Sequence, residues 1–255
     1  MCDDRAATVD KSPRRVRRMF GEIAPRYDLL NRLLSLGIDR RWRRRTVQLV
    51  APAAKGPLAG APVLDVCTGT ADLALAYWRA GRGRVGVVGA DFCRPMLEIG
   101  LEKCRRAGAA AAIGSEAGAG VTLVEADGQQ LPFADAAFQI VTVAFGLRNQ
   151  ADAARGLSEM ARVCRPGGRV AVLEFSMPRS RVLGWLYRFY FRRVLPRVGQ
   201  ALAKNRQEAY HYLPASVGEF PQADAMAEQL RAAGLGPVAL HPFTFGIATL
   251  YVGEK

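Results

Sequence analysis

The chain has 255 residues, half of them hydrophobic, and a formal net charge of +13. That length and apolar content suit one large α/β unit with a full core and exclude a disordered or low-complexity chain. Five cysteines without a C-x-x-C pair fit reduced thiols in a cytoplasmic protein better than a disulfide framework. The charged N-terminus and the lack of an 18-residue apolar run predict neither a signal peptide nor a spanning helix.

In chain order, Ser12-Pro13 opens a helix through an N-cap and a first-turn proline, and a second helical stretch runs from about Tyr27 to Leu36. Gly37 ends it, and a third, Arg-rich helix spans about Arg40 to Val50. Residues 1–60 form an N-terminal helical segment, and residues 61–255 form the main domain. Val63 to Val66 reads as a buried strand that stops in a tight turn of small residues, Cys67-Thr68-Gly69-Thr70-Ala71, and opens into a helix. Val85 to Ala90 is the second strand, with Asp91 at its carboxyl end. In doubly wound sheets ligands bind outside the carboxyl ends of the strands, beside the first strand-to-helix turn. An acid after strand two is placed to accept hydrogen bonds from a ribose, so an adenosine-bearing cofactor is expected.

Which cofactor follows from the turn. It has one sure glycine, Gly69, and no G-x-G-x-x-G, so it lacks the close backbone approach that a pyrophosphate needs. S-adenosylmethionine has no phosphate, and its sulfonium and amino groups suit the acidic surroundings that Asp65 and Asp72 offer.

Further along, a helix covers about Pro95 to Arg106, and Gly108 to Gly120 is an Ala/Gly-rich connection. Val121–Val124 and Phe138–Val143 are strands three and four. A helix spans about Asp152 to Val163, and Arg169–Glu174 is strand five. A basic aromatic insertion follows at about 179–212. A last helix, about Asp224 to Ala233, precedes a closing hairpin of Val238–His241 and Ile247–Val252. The alternation predicts a mostly parallel sheet with an antiparallel C-terminal edge strand. Cys67 and Cys93 flank the expected pocket and read as small packing residues.

The charge is unevenly spread. Residues 1–45 carry a balance of +7 and residues 179–206 a balance of +8, leaving −2 for the rest. Within the second basic segment, residues 182–195 interleave five aromatics with aliphatics and arginines. This pattern predicts an interfacial helix in peripheral contact with an anionic membrane surface. Arginines paired with bulky apolar residues are unlike a plain phosphate-binding stripe, so no nucleic acid is expected as partner. His211 and His241 have no ligand spacing, and no metal is expected. A homo-oligomer is compatible with the sequence.

Three motifs carry a resemblance to a known family. They are Tyr27-Asp28-Leu29-Leu30-Asn31, continuing through Ser35-Leu36-Gly37 to Arg41-Trp42; Leu131-Pro132-Phe133 followed by Phe145-Gly146-Leu147-Arg148-Asn149; and Arg162-Val163-Cys164-Arg165-Pro166-Gly167-Gly168-Arg169, running into Leu173-Glu174-Phe175-Ser176. With these the chain, from about Val16 to Val252, resembles the ubiquinone/menaquinone biosynthesis C-methyltransferases. The resemblance implies a class I S-adenosylmethionine-dependent methyltransferase fold, Rossmann-like with seven strands, and a prenylated quinol substrate. It implies cofactor contacts from Gly69, Thr70, Asp91, Asp127 and Gly128. Compared with that family's usual pattern, Leu30 replaces a methionine, Asp39 a histidine near the substrate entrance, and Ala71 a second glycine. Alanine is acceptable there if residue 71 lies in an ordinary helical start.

The chemistry points to further residues. Methylating a quinol carbon is eased by deprotonating a phenolic hydroxyl, whose free pKa is about 10. The site must supply a base or a stabilising cation. Arg148, beyond strand four at the sheet's carboxyl edge, is the expected cation, with Asn149 orienting it. Tyr27 and Asp28 are expected over the pocket as part of an N-terminal lid.

Overall fold

The apolar runs form seven strands: β1 (Val63–Val66), β2 (Val87–Asp91), β3 (Val121–Glu125), β4 (Phe138–Ala144), β5 (Cys164–Phe175), β6 (Val238–Phe243) and β7 (Ala248–Glu254). The structure, a computed structural model, describes residues 10–111, 120–178, 212 and 215–255. The expected 182–195 helix lies outside those residues. So does the rest of the insertion, except Tyr212, along with 112–119 of the Ala/Gly-rich connection.

The strands form one sheet in the order β3-β2-β1-β4-β5-β7-β6. From β1 to β5 all pairings are parallel. The strands β1 and β4 are apolar almost throughout because both faces of the sheet are covered. The expected hairpin forms, but its two strands are not equivalent. The strand β7 runs antiparallel to both β5 and β6 and lies between them, so β6 is the edge. Strand β5 begins five residues before Arg169. The register shift between Phe138↔Cys164 and Ile140↔Arg169 accommodates Arg165-Pro166-Gly167-Gly168 as a bulged excursion.

Helices α4 (Asp72–Ala80) and α5 (Arg94–Arg106) follow β1 and β2, α6 (Ala153–Val163) follows the loop after β4, and α7 (Asp224–Ala232) precedes β6. Asp152 caps α6 by accepting a hydrogen bond from the Arg155 amide at 2.9 Å. Before the sheet come α1 (Pro13–Ile23), α2 (Tyr27–Leu34) and α3 (Ile38–Leu49). Ser12 occupies the N-cap of α1 but its side chain makes no capping bond; Pro13 supplies the start signal. Gly37, at φ 76°, turns the chain from α2 into α3.

Two cores flank the sheet. One packs Leu157, Met160, Met226 and Leu230 of α6 and α7 on Leu64, Val141 and Val172. The other packs Trp42, Leu75 and Tyr77 of α3 and α4 on Val63, Ile140 and Leu173. A smaller cluster of Ile23, Ala24, Leu30, Cys93 and Met96 fixes α1 and α2 against α5. The strand order reverses direction between β1 and β4, and the N-terminal helices therefore meet the sheet beside that switch point.

Candidate active site

The turn after β1 is built from alternating left-handed residues: Cys67 (φ 53°), Gly69 (φ 55°) and Ala71 (φ 63°). The expectation that Ala71 sits in an ordinary helical start is therefore corrected. It is the N-cap of α4 in a conformation costing an L residue ~1–2 kcal/mol. The reward is a tight loop whose Gly69 amide donates to Asp91 Oδ2 at 2.8 Å. The Cys93 amide donates to Oδ1 of the same carboxylate, also at 2.8 Å. Asp91 thus ties the first turn to the second. Burial raises its carboxyl above the usual range, and the backbone donors oppose that rise.

Above this turn lies a cavity open to solvent. Gly69, Asp91, Asp127 and Gly128 line it on one side, with Tyr27 and Asn149 also in its wall. Those six sequence-derived candidates are brought together. Asp127 Oδ1 accepts from the Gln129 amide at 2.9 Å, which folds the loop after β3. Gly128 is required by close approach: a Cβ there would come within 2.9 Å of Val66 Cγ1 and would strike the Gln150 amide.

Arg148 and Thr70 are placed elsewhere. The Arg148 side chain is 7% exposed and its Nη1 meets Glu174 Oε2 at 2.7 Å; Glu174 is 1% exposed. Nη1 also donates to the Phe145 carbonyl at 2.5 Å, and the Arg148 amide donates to Glu174 Oε1 at 3.2 Å. The Phe175 ring lies 5.3 Å from the guanidinium carbon. Arg148, expected as a cation at the cavity, is thus paired with Glu174 and is not among the residues that line the cavity. Asn149 does not bond to Arg148. Its Nδ2 donates to the same Phe145 carbonyl at 3.2 Å, and its buried Oδ1 has no partner among the described residues. Phe145 is itself left-handed (φ 60°), which turns its carbonyl to receive both donors.

Tyr27 packs edge-on against Phe20, with ring centroids 6.1 Å apart. Burial raises its hydroxyl pKa above 10, so this group remains a proton-bearing donor at neutral pH.

The sequence profile of the ubiE/COQ5 methyltransferase family matches residues 8–255. The chain belongs to that family. It is 44% identical to the ubiquinone/menaquinone biosynthesis C-methyltransferase UbiE of Geobacter sulfurreducens, over 100% of this chain and 94% of the relative. It is 48% identical to the demethylmenaquinone methyltransferase of Thermus thermophilus, over 93% and 100% respectively. Among solved structures, a SAM-dependent methyltransferase of Thermotoga maritima, described as a possible histamine N-methyltransferase, superposes with TM-score 0.61. It is 15% identical and covers 94% of this chain and 99% of its own, a likeness of fold. The protein is a class I methyltransferase, and its cofactor is S-adenosylmethionine.

The residues present fit that group. Asp91 has carboxylate lone pairs left for hydroxyl donors, and the orphaned Asn149 Oδ1 can accept from a cationic or amino group. The two acids first expected to receive the cofactor's cationic groups are corrected. Asp65 is buried within β1, accepts from Thr68 Oγ1 at 2.6 Å, and has its pKa pushed up to about 7 by burial. Asp72 points at Lys103 and Arg43. Neither lines the cavity.

Thr70, Asp28 and Asp72 meet instead in a polar network around Lys103. Lys103 Nζ approaches Asp28 Oδ2 at 2.9 Å and Thr70 Oγ1 at 3.1 Å, and it pairs with Asp72. Thr70 Oγ1 donates to Asp28 Oδ1 at 2.6 Å. Arg43 extends the network from Asp72 (3.4 Å) to Asp39 (2.5 Å), which accepts from Ser35 Oγ at 2.7 Å. Asp39 therefore fastens the start of α3, away from the cavity. Sequence reading missed Lys103, which lies 75 residues from Asp28 and belongs to no motif. It also missed Phe92, Met96 and Gln150 in the cavity wall; the first two lie just past the acid that ends β2.

Proposed function

We propose that the enzyme transfers a methyl group from S-adenosylmethionine to a ring carbon of a demethylmenaquinol. The demethylated benzoquinol intermediate of ubiquinone biosynthesis is a second substrate. The names of the relatives supply the quinol class. The observation that carries the reading is a single cavity with two kinds of wall. Gly69, Asp91 and Gly128 make a polar face, and Phe20, Tyr27 and Phe145 make an aromatic face against which a quinol ring can stack.

When bound, S-adenosylmethionine supplies an electrophilic methyl group. The chain's own residues supply the rest. Tyr27, held protonated by burial, donates a hydrogen bond to a quinol oxygen and steadies the developing phenolate. Asn149 Oδ1 accepts from the ligand side of the cavity. Arg148 acts through the backbone: with Glu174 it fixes the Phe145–Asn149 loop in its left-handed bend. The N-terminal helices α1 to α3 act as a lid whose Tyr27-Asp28 corner closes over Gly69 and excludes water. The substrate's prenyl tail accounts for peripheral contact with an anionic membrane. Among the described residues no helix is long and apolar enough to cross one.

The deciding experiment supplies labelled S-adenosylmethionine with reduced short-chain demethylmenaquinol, the oxidised quinone, and the demethylated benzoquinol. Label entering the quinols but not the quinone supports both the reaction and the need for a phenolate. Cofactor binding with no label in any ring refutes the substrate. In the same assay Tyr27→Phe lowers turnover at least ~10-fold, as expected for loss of one charge-assisted hydrogen bond; unchanged turnover removes the hydroxyl from the mechanism.

A further inference from the structure

Among the described residues, four large apolar side chains stand out at the surface: Leu29, Leu33, Leu36 and Phe245, exposed by 53%, 44%, 82% and 78%. Leu29 and Leu33 are one turn apart on α2, and Leu36 continues the stripe on the turn that closes the helix. The opposite side of α2 carries Tyr27 and Leu30, which pack toward the cavity and α5. Among the described residues, this short helix therefore has one apolar face that no neighbour covers.

Phe245 is held outward by design of the backbone. Thr244 (φ 45°) and Phe245 (φ 58°) are consecutive non-glycine residues in the left-handed region, at the tip between β6 and β7. Trp42 Nε1 of α3 donates to Thr244 Oγ1 at 2.8 Å, pinning that tip to the N-terminal helices. Because β6 runs in the same direction as β5, the tip lies at the carboxyl edge of the sheet, the edge that holds the cavity. This bend of the backbone holds the phenylalanine ring at the surface.

Exposed arginines adjoin the leucines along the chain: Arg32 on α2 lies between Leu29 and Leu36, and Arg40, Arg41 and Arg44 follow on α3. The acids of the same stretch, Asp28 and Asp39, are engaged by Lys103 and Arg43. The stretch from Leu29 to Arg44 therefore presents exposed leucines and exposed arginines together.

We propose that this rim is where the enzyme docks on an anionic lipid bilayer. Leucines and Phe245 enter the headgroup boundary, the arginines meet lipid phosphates, and the cavity mouth beside Tyr27 faces the membrane. The proposal rests on the quinol reading, since a prenylated substrate resides in the bilayer. It names residues other than those of the 182–195 segment.

The test uses the full chain with vesicles of phosphatidylcholine alone or mixed with phosphatidylglycerol, read by co-sedimentation. The parent is expected to sediment with the anionic vesicles only. Leu29→Ser/Leu33→Ser/Phe245→Ser is expected to lose at least ~10-fold in partition, because membrane affinity scales with buried apolar area. Arg40→Glu/Arg41→Glu/Arg44→Glu is expected to abolish the preference for anionic lipid. All substituted side chains are exposed, and unchanged S-adenosylmethionine affinity certifies folding. Both variants should keep parental turnover on a water-soluble short-chain quinol and lose it on long-chain quinol held in vesicles. A parent indifferent to vesicles, or variants that sediment like the parent, would overturn the proposal. So would a leucine variant whose only change is loss of self-association, which would make the rim a protein interface. If vesicle binding follows the prediction but no quinol is methylated, the docking surface stands and the substrate reading falls.

Discussion

Asp91 holds two backbone amides while keeping lone pairs for a ligand, so a change there alters both stability and affinity. Asp91→Asn keeps the shape but turns an N–H₂ group toward one of those amides. A buried donor left unmatched costs ~1–3 kcal/mol, and loss of a hydrogen bond to a charged group costs ~1.5–3 kcal/mol of binding. Calorimetric titration should show S-adenosylmethionine affinity reduced at least ~10-fold. An unchanged dissociation constant would remove Asp91 from the cofactor site. At Arg148 the question is what its charge does. Arg148→Met leaves Glu174 buried without its partner, a loss of ~3–5 kcal/mol. Adding Glu174→Gln removes the orphaned charge and should restore most of the stability. If Arg148 only fixes the loop, methyl transfer per folded molecule recovers with it. Activity that stays low in the stable double variant would give the guanidinium an electrostatic role in the reaction.

The network around Lys103 joins α2, α4, α5 and the turn after β1, so it couples the N-terminal helices to the cofactor loop. Its charged members Lys103, Asp28 and Asp72 are one-fifth to one-third exposed, and solvent screening keeps each ion pair modest, at ~1 kcal/mol or less. Lys103→Met is therefore expected to leave the fold intact while weakening S-adenosylmethionine binding several-fold, because Thr70 and Asp28 lose their shared donor. Lys103→Arg should recover part of that loss, and cofactor affinity equal to the parent's in Lys103→Met would show that the elements are not coupled. This coupling was not legible in the sequence: its residues come from four elements and none repeats at a local spacing. The elements themselves were legible, since Val63–Val66 and Phe138–Val143 are apolar runs bounded by turn residues. The place of β7 between β5 and β6 was not, because a hairpin's pattern fixes its own pairing but not which of its strands joins the sheet. At the site, Gly69, Asp91 and Asn149 were readable from motif position. The left-handed Ala71 and the Arg148–Glu174 pair were not, since one depends on a backbone angle and the other on a contact 26 residues apart.

For the whole molecule, the most telling buried charge is Asp65, at the centre of the sheet on β1. Its neighbours across the strand pairs are Gly89 and Thr142, and its hydrogen bond comes from Thr68. Burial dominates, pushing its pKa up to about 7 from a usual 3.8. Between those two values the unfolded chain has released the proton while the folded chain still holds it, so stability falls as pH rises through that window. Below about 4 the group is protonated in both states and its contribution is fully present; above about 7 it is ionised in both and the loss is complete. Asp65→Asn has no proton to release and keeps an acceptor or a donor for Thr68. Melting curves for parent and variant should therefore diverge with pH: the variant gains on the parent from pH 4 to 7, after which the gap is constant. At ~2–4 °C per kcal/mol for a chain of this size, the change is several degrees. Other groups that titrate in this window, chiefly the surface carboxylates, contribute equally to both proteins and cancel in the difference. Parallel curves over the whole range would mean that Asp65 ionises as readily in the folded protein as in the unfolded chain, with water or a moving cation reaching the centre of the sheet.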